Sequence, residues 1–467
     1  MIFSSATFLF LFLPVFFLLH LVLPGTKTKN ILLVVASLLF YAWGEGIYVL
    51  LMIISVFLGW LAGILIAKYD KCAKAITAIS VILNIGMLFV YKYAGFFVEI
   101  INYIPGIEIP AVTVRLPLGI SFFTFQILSY VIDVYRDRSI VNKSYFSTLL
   151  YISFFPQLIA GPIVKYHDIN LQIESRKVTA EGAAEGIRRF IIGLSKKLLI
   201  ADVTALVVDS IFALETGSMS GACAWLGAIL YIFQIYFDFS GYSDMAIGLG
   251  QMFGFKFKEN FNYPYVSLGI RDFWRRWHIS LSTWFREYLY ISLGGNRKGN
   301  VRTYVNLFIV FLATGLWHGA NFTFLVWGIY NGILIVLERA EIIKIKNKVL
   351  CHIYTTFAVI IGFVIFRADS LSVAFSYIGR MFTPSAYTGG FSDALSFCTP
   401  YLICTAILAI VCCLPVLPYI KGKMQTLSLR KVSVLEGATY VLVLLMLFVC
   451  IMVLAANTYS PFIYFRF

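Results

Sequence analysis

The feature that most constrains this chain is a series of apolar segments, each about as long as a bilayer is thick. Ile47–Ala67 and Ala438–Ala456, for example, contain no charged residue. Apolar residues make up 60% of the chain and charged residues 13%, whereas soluble proteins have roughly 45–50% and about 25%. Because a spanning helix needs about 20 apolar residues, the sequence predicts an all-α polytopic membrane protein with roughly ten to twelve transmembrane helices.

The distribution of charge fits a membrane protein better than a nucleic-acid-binding one. The net charge is +14, and the lysines and arginines are concentrated between the apolar segments. Such clusters stay on the cytoplasmic side of a membrane and attract anionic lipid headgroups. We therefore expect membrane lipids and no nucleic acid as partners. The positions of the basic clusters place both chain termini on the extracytoplasmic side.

The pattern of spans divides the chain into three parts. Residues 1–115 are predicted to form N-terminal transmembrane helices, and residues 341–467 C-terminal ones that end in an extracytoplasmic tail. In the central part, residues 116–340, the segment Tyr145–Val164 contains Pro156 and a Gly-Pro pair, which interrupt a helix. This segment is predicted to be broken or re-entrant, an arrangement tolerated at membrane depth only where protein surrounds it.

Two histidines lie in the stretch with the strongest chemical signal, Arg271–Asn321. His278 lies in a segment rich in tryptophan and arginine, and His318 lies near the end of an apolar run. Because an ionisable side chain inside a membrane is costly, such residues are functional candidates. The eight cysteines show no metal-binding spacing, so neither a metal site nor a disulfide framework is expected. We also expect no tightly bound cofactor.

The segment Ile270–Gly294 has the spacing of an amphipathic helix. Such a helix lies in the headgroup plane of a membrane, and its basic side would gather an anionic cytoplasmic substrate. The GGNRKG motif at 294–299 lacks the spacing of a phosphate loop and is predicted to form a tight turn with extended basic side chains. The apolar face of the helix carries Phe273, Trp277, Leu281, Trp284 and Tyr288.

Two carboxylates, Asp238 and Asp244, lie in the apolar segment Ala222–Gly254. At membrane depth such groups pair with cations or line a polar path. Both interpretations remain open: ion pairs with nearby arginines, or a polar path.

Several long blocks resemble the signature blocks of membrane-bound O-acyltransferases, and within them the bacterial alginate O-acetylase branch. The blocks are DFWRRWHISLSTWFREYLYISLGGNR, WHGANFTFLVWG and YFDFSGYSDMAIGLGQMFGFKFKENFNYPY, with weaker similarity in PLGISFFTFQILSYVIDVYR and FFPQLIAGPIVKY. They cover most of Leu116–Gly332, and the C-terminal SPFIYFRF is similar as well. The resemblance implies a funnel of tilted helices around a pore-like centre, in a bacterial plasma membrane.

The same resemblance implies roles for individual residues. The family's invariant histidine corresponds to His318, and its second polar position falls on His278. Acetyl transfer from a thioester to a hydroxyl needs a base and a donor to the developing oxyanion, and a histidine with a pKa near about 6.5 suits the first role. We expect His318 to be the base and His278 to orient the donor or stabilise charge. The residues predicted to bind substrate are Trp274, Arg276, Trp277, Trp317, Asn321 and Asp238.

The last residues suggest a third catalytic residue, Tyr464. The tail FIYFRF resembles the C-terminal motif of a small membrane peptide in the teichoic-acid D-alanylation system, where a tyrosine hydroxyl takes the acyl group through the membrane. By analogy, Tyr464 is expected to fold back into the outer funnel and accept acetyl at His318. An aromatic belt at the membrane interface is the alternative interpretation.

The expected function is a membrane O-acetyltransferase that uses cytoplasmic acetyl-CoA and supplies acetyl groups to a cell-surface or secreted polysaccharide. Because no part of the sequence is suited to form a globular outer domain, we expect an extracytoplasmic partner, such as an SGNH/GDSL-like acetyltransferase, to hold the glycan. Two alternatives remain open. They are D-alanyl transfer to teichoic acid from a carrier protein, and transport of a lipid-linked sugar, which would leave the Trp-His pair at 317–318 unexplained.

Overall fold

The protein is built of helices. A computed structural model describes residues 1–110, 114–383, 391–424, 429–456 and 462, and none of these residues forms a β-strand. In the bilayer core a helix satisfies its own backbone N–H and C=O groups, so apolar segments of this length fold as helices. The predicted all-α fold is confirmed.

The described residues form helices α1 to α22, numbered in chain order. The first are α1 (Leu13–Val22), α2 (Thr26–Glu45), α3 (Tyr48–Lys68), α4 (Ala73–Lys92), α5 (Ala94–Asn102), α6 (Ile120–Arg136), α7 (Tyr145–Ser153), α8 (Phe155–Leu158), α9 (Tyr166–Glu174), α10 (Ala180–Ser195) and α11 (Asp202–Phe212). They are followed by α12 (Gly221–Met252), α13 (Ile270–Arg276), α14 (Ile279–Trp284), α15 (Gly299–His318), α16 (Phe322–Arg339), α17 (Lys348–Arg367), α18 (Leu371–Met381), α19 (Phe391–Phe397), α20 (Pro400–Cys413), α21 (Val416–Met424) and α22 (Leu429–Ala456). Segments of π-helix occur at Phe8–Phe12, Lys196–Ala201 and Phe285–Tyr290.

Among the described residues, six helices are long and apolar enough to cross a membrane. A seventh span results if α19 and α20, which meet at a bend of 85°, are one span. This number is below the roughly ten to twelve crossings that composition predicts, because other apolar segments form shorter or interrupted helices, such as Phe8–Val22. The six are Tyr48–Lys68, Asp70–Lys92, Gly221–Met252, Phe322–Arg339, Lys348–Arg367 and Val432–Ala456.

The chain forms two compact units. The first consists of Met1–Phe190 with Met245–Lys258, and the second of Ile191–Asp244 with Glu259–Phe467. The sequence-based division into residues 1–115, 116–340 and 341–467 remains a prediction.

The first unit contains two predicted breaks in the helical chain. α2 and α3 form a hairpin at Gly46, whose φ of 55° is a left-handed conformation that favours glycine. Pro156 stands at the start of the short helix α8, directly after α7. The Phe155 amide at this break donates to the Ser37 hydroxyl at 3.1 Å. The predicted broken segment over Tyr145–Val164 is therefore confirmed.

In the second unit, α15 and α16 pack closely through glycines. A Cβ atom on Gly328 would lie 2.6 Å from the Phe311 carbonyl oxygen and 3.2 Å from the Gly315 Cα atom. A Cβ atom on Gly315 would clash with the Phe324 carbonyl oxygen. Small residues let two membrane helices approach in this way. The contact fixes the position of His318, the last residue of α15, relative to α16.

Helix α16 also holds the short helix α13. The Glu338 carboxylate accepts hydrogen bonds from the first two amides of α13, Ile270 N at 2.6 Å and Arg271 N at 3.0 Å. These amides have no partner within the helix, and a negative charge there is favoured by the helix dipole. The Trp274 indole N–H donates to the Asn331 side-chain oxygen at 3.2 Å. One helix therefore positions the end of α15 and the whole of α13.

The predicted continuous interfacial helix over Ile270–Gly294 is wrong. α13 ends at Arg276, Trp277 is extended and His278 is left-handed before α14 begins. The arginines of this segment are exposed or half-buried, as expected, but its aromatic face packs inside the protein instead of in lipid headgroups. The helical spacing predicted correctly which residues share a face. That face packs against other parts of the protein and not against lipid. The buried face residues are Phe273, Trp277, Leu281, Trp284 and Tyr288.

The buried Asp238 and the half-buried Asp244 of α12 pair with lysines of the π-helical segment Lys196–Ala201. Lys197 Nζ lies 2.8 Å from Asp238 Oδ1, and Lys196 Nζ lies 2.6 Å from Asp244 Oδ2. Lys197 also lies 2.7 Å from Asp202 Oδ1. A buried charge requires such a partner. The ion-pair interpretation is therefore confirmed, with lysines in place of the expected arginines.

We predict that Gly328→Ala lowers the midpoint of thermal unfolding in detergent. The added methyl group would lie 2.6 Å from the Phe311 carbonyl oxygen and force α15 and α16 apart, and overpacking of this kind costs about 1–3 kcal/mol. Gly379→Ala is the matched control, because a Cβ atom there meets nothing within 4 Å. An unchanged or higher midpoint for Gly328→Ala would contradict the close packing of these helices.

Candidate active site

His318 lies in an aromatic pocket at the end of α15. The residue is 7% exposed. Its ring centroid lies 5.0 Å from that of Trp317, 5.2 Å from that of Trp327 and 5.1 Å from that of Phe366, each in an edge-to-face arrangement. Trp327 belongs to α16 and Phe366 to α17. Three consecutive helices of the second unit therefore contribute the aromatic rings around this imidazole.

His278 lies at the break between α13 and α14. Its backbone is left-handed, with φ 46° and ψ 54°, a conformation that costs a non-glycine residue about 1–3 kcal/mol and is found most often at functional sites. The residue is 1% exposed, and the Phe239 ring meets it edge-to-face with centroids 4.6 Å apart. The break therefore presents a deeply buried imidazole.

The Trp317 indole connects the two histidines. Its ring centroid lies 6.1 Å from that of His278 and 5.0 Å from that of His318. Trp317 itself is buried. The fold thus brings together three of the residues predicted from the sequence. We refer to His278, Trp317 and His318, with Trp327 and Phe366, as the aromatic-histidine site.

His278 has one hydrogen-bonded and one unpartnered ring nitrogen. Nδ1 lies 3.2 Å from Asn260 Oδ1 and 3.4 Å from Ser280 Oγ. Nε2 is buried and has no hydrogen-bond partner within the described part of the chain. His278 lies outside the six candidate spans, and burial lowers its pKa to about 3. The imidazole is therefore neutral near pH 7, and Nε2 is available to a substrate.

Trp274 in α13 and Trp277, directly after it, both pack against other aromatic side chains. Trp277 is 4% exposed and packs on Phe261 and Phe363, each with centroids 5.1 Å apart. Trp274 packs on Trp327 at 5.4 Å, so one ring separates it from His318. Trp277 is therefore part of the core, and Trp274 contributes to the wall around the site. Their assignment to substrate binding remains a prediction.

Two charged candidates are engaged in ion pairs. Arg276 Nε lies 3.1 Å from Asp272 Oδ2, one helical turn away. Asp238 is held by Lys197, as described above. Both side chains thus have partners inside the protein, and binding of substrate by either remains a prediction.

Asn321 caps the N-terminus of α16. Its side-chain oxygen accepts from the Thr323 amide at 3.1 Å, and its side-chain nitrogen donates to the Asp369 carbonyl oxygen at 3.1 Å. An asparagine at this position stabilises a helix by about 1 kcal/mol. The cap accounts for the residue type, and a role in substrate binding remains a prediction.

Tyr464 lies outside the described residues, but Phe462 does not. Phe462 is 2% exposed, and its ring stacks on Tyr242 with centroids 4.6 Å apart. Its ring also lies 6.2 Å from that of Phe239, which contacts His278. The tail is therefore buried in the second unit at Phe462, one ring away from His278. The role of Tyr464 remains a prediction.

A basic cavity of about 280 Å³ lies beside the GGNRKG motif. Gly294 and Gly295 have φ of 103° and 58°, and the predicted tight turn is confirmed. Three of the lining residues are arginines and none is acidic. One guanidinium group can donate two parallel hydrogen bonds to phosphate oxygens, so this cavity is suited to an anion. The lining residues are Arg286, Tyr290, Ile291, Gly294, Gly295, Asn296, Arg297 and Arg339.

Some residues of the site were not predicted from the sequence. Asn260 and Trp327 lie in the blocks ENFNYPY and NFTFLVWG, so these blocks were the available signal. Phe366 lies in the apolar helix α17, where nothing distinguishes it from other phenylalanines. Among the described residues, no group of three or more His, Cys, Asp and Glu side chains is arranged to hold a metal ion.

The chain is similar over most of its length to membrane acyltransferases. Residues 136–342 match the MBOAT, membrane-bound O-acyltransferase family. A probable alginate O-acetylase of Pseudomonas aeruginosa is 46% identical over 82% of this chain and 75% of that protein. A peptidoglycan O-acetyltransferase of Helicobacter pylori is 38% identical over 82% of this chain and 80% of that protein. A teichoic acid D-alanyltransferase of Bacillus subtilis is 31% identical over 46% of this chain and 57% of that protein. The chain therefore belongs to the membrane-bound O-acyltransferase family and is a multi-pass membrane O-acyltransferase.

Proposed function

We propose that the protein transfers acetyl groups from cytoplasmic acetyl-CoA and delivers them for O-acetylation of a cell-surface or secreted polysaccharide. The observation that carries this proposal is the pair of buried imidazoles, His278 and His318, that contact one indole ring. The names of two relatives, which act on alginate and on peptidoglycan, support acetyl as the group and a polysaccharide as the acceptor.

The aromatic-histidine site contains the groups that this reaction needs. The acceptor hydroxyl oxygen forms a C–O bond with the acetyl carbon, the C–S bond of the thioester breaks, and the hydroxyl proton passes through a base to the thiolate of CoA. We assign the base to His318. His278 orients the donor or stabilises the developing charge. The rings of Trp327 and Phe366 keep out water, which would otherwise hydrolyse the thioester.

We expect His318→Ala to reduce acetyl transfer from radiolabelled acetyl-CoA in membranes by roughly 10²–10⁴-fold, the usual contribution of a general base. His352→Ala is the control, because this exposed histidine of α17 lies outside the aromatic-histidine site, with Nδ1 3.3 Å from the Ser267 carbonyl oxygen. Full activity of His318→Ala would exclude it as the base.

We also propose that Tyr464 carries the acetyl group to an extracytoplasmic partner. The phenol oxygen would take the acetyl group at His318 as an ester, and an SGNH/GDSL-like acetyltransferase would pass it to the glycan. The burial of Phe462 beside Phe239 supports this route, because Phe239 contacts His278.

Tyr464→Phe is expected to abolish covalent labelling of the protein by radiolabelled acetyl-CoA, because phenylalanine has no oxygen to acetylate. Tyr440→Phe in α22 is the control, since this tyrosine is 46% exposed on a membrane span. Label lost in His318→Ala but kept in Tyr464→Phe would leave the enzyme in place and remove the tyrosine carrier.

The basic cavity is the proposed binding site for the phosphates of acetyl-CoA. CoA carries a pyrophosphate and a ribose phosphate at the end opposite its thioester. Arg286, Arg297 and Arg339 line the cavity without an acidic neighbour among the lining residues. A positive cluster attracts an anionic substrate and binds its oxygens by charge-assisted hydrogen bonds.

We predict that Arg297→Gln raises the KM for acetyl-CoA by roughly tenfold, the effect of losing one hydrogen bond to a charged group. The KM for S-acetyl-pantetheine, which lacks these phosphates, is expected to stay unchanged. Arg302→Gln is the control, because Arg302 is exposed on α15 and does not line the cavity. An equal loss with both donors would contradict phosphate binding in the cavity.

D-alanyl transfer is the second candidate. The match to a teichoic acid D-alanyltransferase favours it, but that match covers less of the chain than the O-acetylase matches do. Transfer from a D-alanyl-charged carrier protein, with none from acetyl-CoA, would select this alternative.

A further inference from the structure

Asn260 binds three consecutive residues at the break that carries His278. It lies between α12 and α13 and is 1% exposed. Its backbone oxygen accepts from the Ile279 amide at 2.9 Å. Its side-chain oxygen accepts from Ser280 N at 3.1 Å and from Ser280 Oγ at 2.8 Å, and it lies 3.2 Å from His278 Nδ1. Its side-chain nitrogen donates to Ser243 Oγ at 3.0 Å.

The backbone amide of Ser280 determines which end of the Asn260 side chain faces His278. A backbone N–H can only donate, so the Asn260 atom 3.1 Å from it is the oxygen and not the nitrogen. The same oxygen faces His278 Nδ1, and a carbonyl oxygen can only accept. Nδ1 therefore carries the proton, and in the neutral imidazole Nε2 has a lone pair and no proton.

We propose that Asn260 is a positioning residue that keeps His278 in the Nδ1-protonated tautomer, so that Nε2 accepts a hydrogen bond from the acyl donor. The inference rests on the proposed function and deepens it, because it decides between the two roles given to His278. An Nε2 atom without a proton does not donate to an oxyanion. It accepts from an N–H group, and the pantetheine arm of acetyl-CoA has amide N–H groups.

The surroundings of His278 support a neutral acceptor. Its neighbours Asn260, Ser280, Phe239 and Trp317 are all uncharged, so none of them favours the imidazolium form. Nε2 is buried and has no protein partner within the described residues. The strained backbone at φ 46° is held in place by the bonds from Asn260 to Ile279 and Ser280. The loop thus sets both the direction and the tautomer of the ring.

The direct test is the tautomer in the full-length protein. In proteoliposomes labelled with ¹⁵N-histidine, the His278 signal, identified by its loss in His278→Gln, is expected to show a protonated Nδ1 and an unprotonated Nε2. Asn260→Leu is expected to transfer a large part of the proton occupancy to Nε2. Asn260→Asp keeps the proton on Nδ1, because a carboxylate also accepts. A protonated Nε2 in the wild type, or no change in Asn260→Leu, would overturn the proposal.

Kinetics separate positioning from a merely structural role. Asn260→Leu is expected to raise the KM for acetyl-CoA by roughly 10- to 100-fold, as expected for one lost buried hydrogen bond, with a smaller change in kcat. Asn260→Asp is expected to keep the KM near neutral pH. It should also shift the acid limb of the kcat/KM profile to higher pH, because the carboxylate raises the pKa of His278.

The decisive comparison is made in the His278→Ala background. There Asn260→Leu is expected to cause no further loss, whereas equal losses in both backgrounds would show a structural role only. Asn84→Leu is the matched control, because this buried asparagine of α4 donates to the Ser80 carbonyl oxygen of its own helix, at 2.9 Å, and lies outside the aromatic-histidine site. If the wild type transfers no acetyl group, the proposed function fails, while the NMR measurement still decides the tautomer.

Discussion

The close packing of α15 against α16 at Gly315 and Gly328 is the contact on which the site depends. Inside a membrane the hydrophobic effect does not draw helices together, so close backbone approach through small residues has to do so. The packing places His318 beside Trp327 of α16. Since α16 also binds α13 through Glu338, it sets the position of the break at which His278 lies. Both imidazoles are therefore positioned by one helix.

The hydrogen bonds and ion pairs of buried polar groups in the second unit also single out the site around His278. The buried charge of Lys197 is balanced by two carboxylates, and Glu338 satisfies the start of α13. Unpaired polar groups are expensive in low dielectric, which explains these partners. His278 Nε2 is different: it is deeply buried and, within the described residues, has no hydrogen-bond partner. A buried ring nitrogen without a protein partner is suited to form a hydrogen bond with a substrate.

The sequence-based interpretation succeeded where a residue's role follows from its own type and neighbours. The length of the apolar segments predicted membrane-spanning helices, helical spacing predicted the apolar face of Ile270–Gly294, and costly ionisable residues pointed to His278 and His318. It was wrong about the continuity of that segment, because the break at Trp277–His278 is held by hydrogen bonds to Asn260, which lies in the loop before α13. The sequence did not decide whether Asp238 forms an ion pair or lines a polar path, because only the fold shows that Lys197 is its partner.

The sequence by itself determined the membrane-spanning class, the family and the two histidines, because composition, periodicity and long motif blocks are local properties of the chain. Only the tertiary structure decided that both imidazoles contact Trp317, that Trp327 and Phe366 complete the pocket, and that Asn260 faces His278 Nδ1. These facts depend on distances between residues far apart in the chain. Such distances arise from helix packing and from hydrogen bonds across loops, which no local pattern specifies.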